Sequence, residues 1–254
     1  MIKHIRLSLV LFVVLFANMA IADHHRLFEA QYEASYQGWS LASTRTLTYV
    51  GENRYLLESV VNGTLVSITE RSEFRLGRNG ELIPDHYTYQ QKVFGVKRQR
   101  SLAFDYDKQQ VVARYKGKEK VLPLSQRVSD PVLYQLQMQR DLYGGDLAKE
   151  YTFVRKGKFK RYQFDQKPAK PVAGQPNTQA PIIRTTAWGE QSVVQLERLS
   201  SDGERRTTIS MLPEEDFHMV SIDFVDSSSD SYQLNLVKLD VSDDFERLFL
   251  NVKE

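Results

Sequence analysis

The sequence predicts an all-β fold, a mainly antiparallel barrel or curved two-sheet clam with one internal α-helix. Three observations carry that expectation. Short runs rich in Thr, Tyr, Val and Phe alternate in polarity, as half-buried pleated strands require. Turn signals separate these runs at intervals of roughly 8–12 residues, the spacing of an antiparallel meander. Only one long stretch, "SDPVLYQLQMQRDLYGGD" at 129–146, has helical grammar.

Taken in order, the chain opens with Lys3, His4 and Arg6, an apolar run over 7–17, and Ala20 and Ala22 in an A-x-A arrangement. That is the grammar of a secretory signal peptide over 1–22. Cleavage after Ala22 leaves 23–254 as a single β-rich domain. The apolar run is short for a bilayer span, and no later stretch approaches the ~20 apolar residues a spanning helix needs. Strand-like runs follow at 28–36, 41–50, 54–61, 65–76, 86–94, 98–105 and 110–115. Gly51-Glu52-Asn53, Asn62-Gly63, Asn79-Gly80 and Lys116-Gly117-Lys118 supply turns between them.

The helix is expected over about 130–143. Asp130 precedes Pro131 and is biased to extended geometry, which suits an N-cap, and Pro131 suits the first helical position. Gly144-Gly145 stops the helix. Val132, Leu136 and Tyr143 share one stripe with Leu133 beside it, and Tyr134, Met138 and Leu142 make a second across Gln135 and Gln139. So broad and weakly charged a surface predicts contact on more than one side, against a seam or open end of the curved sheet.

Further strand-like runs lie at 151–154, 158–164, 182–188, 192–199, 205–211, 219–225 and 232–241, with turns at Lys156-Gly157-Lys158 and Asp202-Gly203. Residues 165–181 differ in kind. Four prolines and no periodicity read as a flexible loop inserted between strands.

Several stretches occur in the order expected of a bacterial envelope family, domain of unknown function 3108. They are "YEASYQGWSLASTRTLTYVGENRYLLES", "GELIPDHYTYQ", "LAFDYDKQQVV", "SDPVLYQL" and "MLPEEDFHMVSIDF". The chain resembles that family over the whole of its mature length. Met211 stands where the family pattern expects a tryptophan, and 165–181 is an insertion, so the resemblance is to a divergent member. It implies an exported β-rich domain and carries over no catalytic residue.

Cysteine is absent, which excludes disulfides, thiol catalysis, cysteine–metal sites and a lipidated N-terminal cysteine. The 254 residues less the 22 of the leader still allow a sizeable core in one β domain. Nucleophilic hydrolysis needs a hydroxyl with a base and an orienting acid. The chain has no G-x-S-x-G, and His86 and His218 sit on strand-like runs without a partner motif. No catalytic residue is assigned, no cofactor is expected, and the chain reads as non-enzymatic. Asp23, His24 and His25 would form a new N-terminus whose amine, amides and third-position imidazole suit square-planar Cu(II) or Ni(II). The plainer reading is a polar run at the cleavage region, with no metal site. Glu214-Glu215-Asp216 and Asp240, Asp243 and Asp244 lack calcium-loop spacing.

Charge is distributed unevenly. Removing Lys3 and Arg6 with the leader leaves 32 basic residues against 32 acidic ones. Yet 92–161 holds 17 Lys and Arg against 7 Asp and Glu, while both flanking stretches are acidic. The excess concentrates at Lys97, Arg98 and Arg100, at Lys116, Lys118 and Lys120, and at Arg155, Lys156, Lys158, Lys160 and Arg161. The second and third groups read as hairpin tips, where an anionic partner could dock. Lysine placed there for solubility and edge protection is the competing reading. Nucleic acid is excluded as a partner because no binding module is recognisable.

Two functions are expected. The first is a non-enzymatic protein of the Gram-negative periplasm that holds a lipid-like or glycan ligand, for envelope maintenance, in an apolar cavity beside Val132, Leu133, Leu136 and Tyr143. The second is a structural or interaction module that docks an anionic envelope partner, such as a protein, through the basic tips.

Overall fold

A computed structural model of the chain describes residues 24–36, 39–78, 80–124, 127–168, 170–172, 175–199, 205–225 and 231–251. The expected leader and Asp23 lie outside the described residues. The alternating runs of the N-terminal half form a continuous meander. Its strands are β1 (His25–Tyr36), β2 (Trp39–Gly51), β3 (Arg54–Asn62), β4 (Val66–Leu76), β5 (Leu82–Val93), β6 (Val96–Asp105), β7 (Gln110–Tyr115) and β8 (Lys118–Pro123). Helix α1 (Leu133–Tyr143) follows, then the hairpin β9 (Glu150–Arg155) and β10 (Lys158–Gln163). The rest is β11 (Asp165–Gln166), β12 (Lys170–Val172), β13 (Gln175–Ala180), β14 (Ile182–Thr186), β15 (Gly189–Leu199), β16 (Arg206–Leu212), β17 (His218–Val225) and β18 (Ser231–Val241).

Fourteen strands share one sheet in the order β11-β15-β16-β17-β18-β1-β2-β3-β4-β5-β6-β7-β8, with β14 paired to β15. Strand β18 lies against β1, with Phe28 opposite Val241 and Tyr36 opposite Tyr232, so the two halves of the chain join along one ladder. Register shifts leave an extra residue on β1 (Leu27), β2 (Val50), β5 (Asp85), β17 (Val220) and β18 (Val237), which bends and twists these strands and curves the sheet. This is the antiparallel, curved all-β architecture that the sequence predicts.

The core is not spread evenly along the strands. On β4 the inward residues Leu76, Phe74 and Ser72 are buried, whereas Glu70, Ile68 and Val66 are only partly so. Strand β6 shows the same gradient, from buried Phe104 and Leu102 to exposed Lys97 and Val96. Apolar packing therefore concentrates at the end of the shell that holds α1. The other end, carrying the turns after β3, β5 and β7, is thinner and wetter.

The helix explains the gradient. Val132, Leu133, Leu136, Met138 and Leu142 are all buried. On one side α1 meets the sheet, where the Leu82 N–H donates to Gln137 Oε1 at 2.7 Å. On the other, Tyr134 stacks on Phe153 of β9 with ring centroids 4.8 Å apart, and Tyr162 and Phe164 close around it. The β9–β10 hairpin thus covers the helix as a second wall, joined to the segment before α1 through a parallel bridge between Ser129 and Phe153. The helix begins at Leu133 rather than at Pro131, with Val132 in the cap position and no side-chain cap, and Asp130 closes the turn before it. Its Oδ1 accepts from the N–H groups of Val132 and Leu133, both at 2.9 Å, across a turn that precedes the helix proper.

Three local features differ from the sequence expectation. Strand β8 has a single buried residue, Leu122, so its charged sequence conceals a strand. Strand β5 begins at Leu82 despite Pro84, which lies beside the extra residue Asp85 and ahead of His86, where the pairing with β6 starts. Within 165–181, the described residues include β11 paired to β15 and the β12–β13 pair.

Candidate functional site

In a meander, every second hairpin turn lies at the same end of the sheet. Val93 pairs with Val96 and Tyr115 with Lys118, so the turns after β5 and β7 are neighbours at the thin end. The β9–β10 turn joins them, since a Cβ on Gly157 would stand 3.6 Å from the Lys120 side chain. All three are two-residue turns with positive φ at both positions: Phe94-Gly95 (47° and 80°), Lys116-Gly117 (52° and 72°) and Lys156-Gly157 (52° and 66°). That geometry matches the strand twist and makes tight, projecting tips.

The fold thereby gathers basic runs that are distant in sequence. Lys97, Arg98, Lys116, Lys118, Lys120, Arg155, Lys156 and Lys158 are exposed around these turns. None of the eight forms a salt bridge among the described residues; Glu119 is taken by Arg114 at 2.9 Å. Lys160 and Arg161 are exposed further down β10, opposite Phe153 and Thr152, and Arg161 faces Glu150 at 3.7 Å. Arg100 points inward instead, its guanidinium 3.9 Å from the Tyr89 ring centroid and 5.7 Å from that of Tyr115. A narrow crevice lined by Tyr87, Arg100, Arg114, Arg155 and Lys156 separates β6–β7 from the β9–β10 turn.

Beneath the tips a polar belt crosses the interior. Arg45 donates to Gln135 Oε1 at 2.9 Å and to the Val132 carbonyl at 3.3 Å, and the Ser72 hydroxyl donates to Asp130 at 2.5 Å. The Tyr87 hydroxyl donates to Glu70. Burial pushes the Glu70 carboxyl above its ordinary value, opposed by the Tyr87 hydrogen bond and by Arg155, Arg100 and Arg45. Burial likewise pushes the Asp130 carboxyl up to about 6, against its hydrogen bonds from Ser72, Leu133 and Val132. The Nε atoms of Arg45 and Arg100 are buried without a hydrogen-bond partner. Sequence reasoning passed over Arg45, Glu70 and Tyr87. The available signal was parity, since Glu70 shares the inward face of Phe74 on β4.

The expected ligand cavity takes a different shape. Val132, Leu133 and Leu136 pack in the core, while Tyr143 lies at the rim and its hydroxyl donates to Glu246 at 2.8 Å. The cavity beside α1 is about 100 Å³, lined by Leu82, Val128, Tyr134, Gln137, Asp141 and Tyr151 among others. It borders the other face of the helix, where Asp141 accepts from Gln137 and Tyr151, each at 2.7 Å. An open groove of about 330 Å³ runs between Pro168, Pro181 and β15.

Other sequence candidates fall elsewhere. His24 is exposed, and the His25 ring stands 2.7 Å from Asp244, so copper chelation by His25 would have to withdraw it. Among the described residues no group of three His, Asp or Glu could hold a metal. His218 is buried between Phe28 and Phe245, ring centroids 4.9 and 5.0 Å away, and its Nδ1–H donates to the Glu215 carbonyl at 2.7 Å. Burial holds its imidazole down to about 4.

The sequence pattern of the family described as "Protein of unknown function (DUF3108)" matches residues 31–234. The chain belongs to the DUF3108 family. No curated protein matches this DUF3108 member. A crystal structure of a β-barrel-like protein of domain of unknown function DUF1849 from Brucella abortus is similar over 86% of this chain and 99% of that one. Their sequence identity is 12% and the TM-score 0.50, a likeness of fold. The DUF3108 match begins within β1 and ends within β18, so α1 and the basic turns lie inside the family domain.

Proposed function

We propose that this protein is a non-enzymatic docking module of the bacterial envelope, exported by its leader, that binds an anionic partner through its basic hairpin end. One observation carries the reading: basic runs from β6, β7–β8 and β9–β10 converge on one end, and among the described residues none of the eight exposed cations there forms a salt bridge. In a mature chain that is neutral overall, such convergence makes the molecule electrically polar and steers it end-on toward negative surfaces. The ligand-carrier reading has less support, because about 100 Å³ beside α1 is smaller than the ~150 Å³ cavity that holds a benzene ring.

Retention on heparin at pH 8 tests the reading. Replacing Lys97, Arg98, Lys116 and Lys118 with Gln should lower the eluting salt concentration substantially. Replacing Arg26 and Arg54, at the opposite end, should leave it unchanged. Equal elution of the two variants would remove the basic end from consideration. Export is checked separately by N-terminal sequencing of protein recovered from the periplasm, with Asp23 expected as the first residue.

A further inference from the structure

The basic end also displays apolar side chains. Leu65, Phe94 and Val96 are 44%, 68% and 57% exposed. They are contiguous, because the Phe94 N–H donates to the Leu65 carbonyl at 3.0 Å and ties the turns after β3 and β5 together. Cations flank them: Lys92 pairs across the ladder with Lys97, and Arg98 lies opposite Gln91. From 62 to 66 and from 91 to 98 there is no acidic residue.

Phe94 is the informative residue. It occupies the first position of a two-residue turn with φ 47°, where Asn, Asp or Gly are favoured and a bulky ring is an outlier. Neither folding nor the turn gains from that choice, since the ring projects into water. A partner that receives the ring would account for it.

We propose that this end docks on an anionic phospholipid bilayer. Leu65, Phe94 and Val96 enter the headgroup–acyl boundary, while Lys92, Lys97 and Arg98 remain with the phosphates. Side chains with an apolar body surrounded by cations suit that boundary, where burial of the apolar atoms and attraction to anionic lipid act together. An acidic polysaccharide would satisfy the cations and offer nothing to three apolar side chains. This inference rests on the basic-end docking reading and names the partner.

Flotation with phosphatidylglycerol–phosphatidylcholine vesicles tests it, with heparin retention measured in parallel. Wild type should float with anionic vesicles and not with phosphatidylcholine alone. Phe94→Asn is the decisive variant, because Asn-Gly suits this turn: the fold should be kept, checked by thermal unfolding, while vesicle affinity falls about tenfold or more. Lys97→Gln with Arg98→Gln should lower affinity by about fivefold per cation. Vesicle binding that ignores Phe94→Asn would overturn the insertion. Retention on heparin without vesicle binding would overturn the bilayer and leave the basic-end reading standing. Loss of both would remove the two together. A photo-crosslinker at position 94 that yields one dominant protein adduct in cells would replace the bilayer with a protein partner.

Discussion

Asp130 and His218 are buried ionisable groups whose shifts act on stability in opposite directions. The Asp130 carboxyl, raised from 3.8 to about 6, takes up a proton on folding between those pH values. Its contribution is fully present below about 4 and is lost as pH rises through 6, a change of about 3 kcal/mol. The His218 imidazole, lowered from 6.5 to about 4, releases a proton on folding in that window. Its contribution is present above 6.5 and is lost as pH falls through 4, again about 3 kcal/mol. Urea midpoints between pH 4 and 7 separate the two. Relative to wild type, Asp130→Asn should gain about 3 kcal/mol as pH rises from 4 to 6.5, and His218→Gln should lose a similar amount over the same window. Profiles parallel to wild type would show that these groups do not carry the shifts. Both residues stood in view in the sequence, Asp130 as a cap and His218 on a strand. Neither environment did, because burial depends on what packs from other elements.

At the scale of elements, α1 is held on two sides, and its residues divide accordingly. Leu136 faces the core, so Leu136→Ala should cost about 2–5 kcal/mol in urea denaturation, the usual result of truncating a buried leucine. Tyr143→Phe removes only exposed hydrogen bonds, one donated to Glu246 and one accepted from Asn251, and should change stability by less than about 0.5 kcal/mol. A small loss at Leu136 would mean that the interior is looser than its packing indicates. Most strands were legible from alternation and turn residues, as was the helix from Asp130-Pro131 and Gly144-Gly145. Strand β8 was not, because Lys118, Glu119 and Lys120 lie on a thin sheet end where neither face is buried. Phe94-Gly95 was missed as a turn because phenylalanine ordinarily signals strand, and only backbone geometry reveals its positive φ.

For the whole molecule, the separation of apolar core from basic end underlies the proposed docking. The cavity beside α1 is about 100 Å³, too small for an acyl chain, so a fluorescent fatty acid should show no saturable binding there. Tight one-to-one binding that is lost on filling the cavity by Ala148→Leu would restore the carrier reading. Attraction to anionic surfaces should weaken steeply with salt, because exposed charges are screened within about 8 Å at physiological ionic strength. Binding that persists in high salt would place the energy in apolar contacts alone.

By itself the sequence determined the fold class, the helix and its stop at Gly144-Gly145, the lack of cysteine chemistry and the existence of three basic runs. These are local properties, set by side-chain period, backbone preference and composition. Tertiary structure alone decided which end of the sheet each run occupies, that Arg45, Glu70 and Asp130 lie in one belt, and that Leu65 and Phe94 meet. Those facts depend on ladder register and on the β9–β10 hairpin closing over α1. Such pairings bring together residues far apart in the chain, and no short window of sequence contains them.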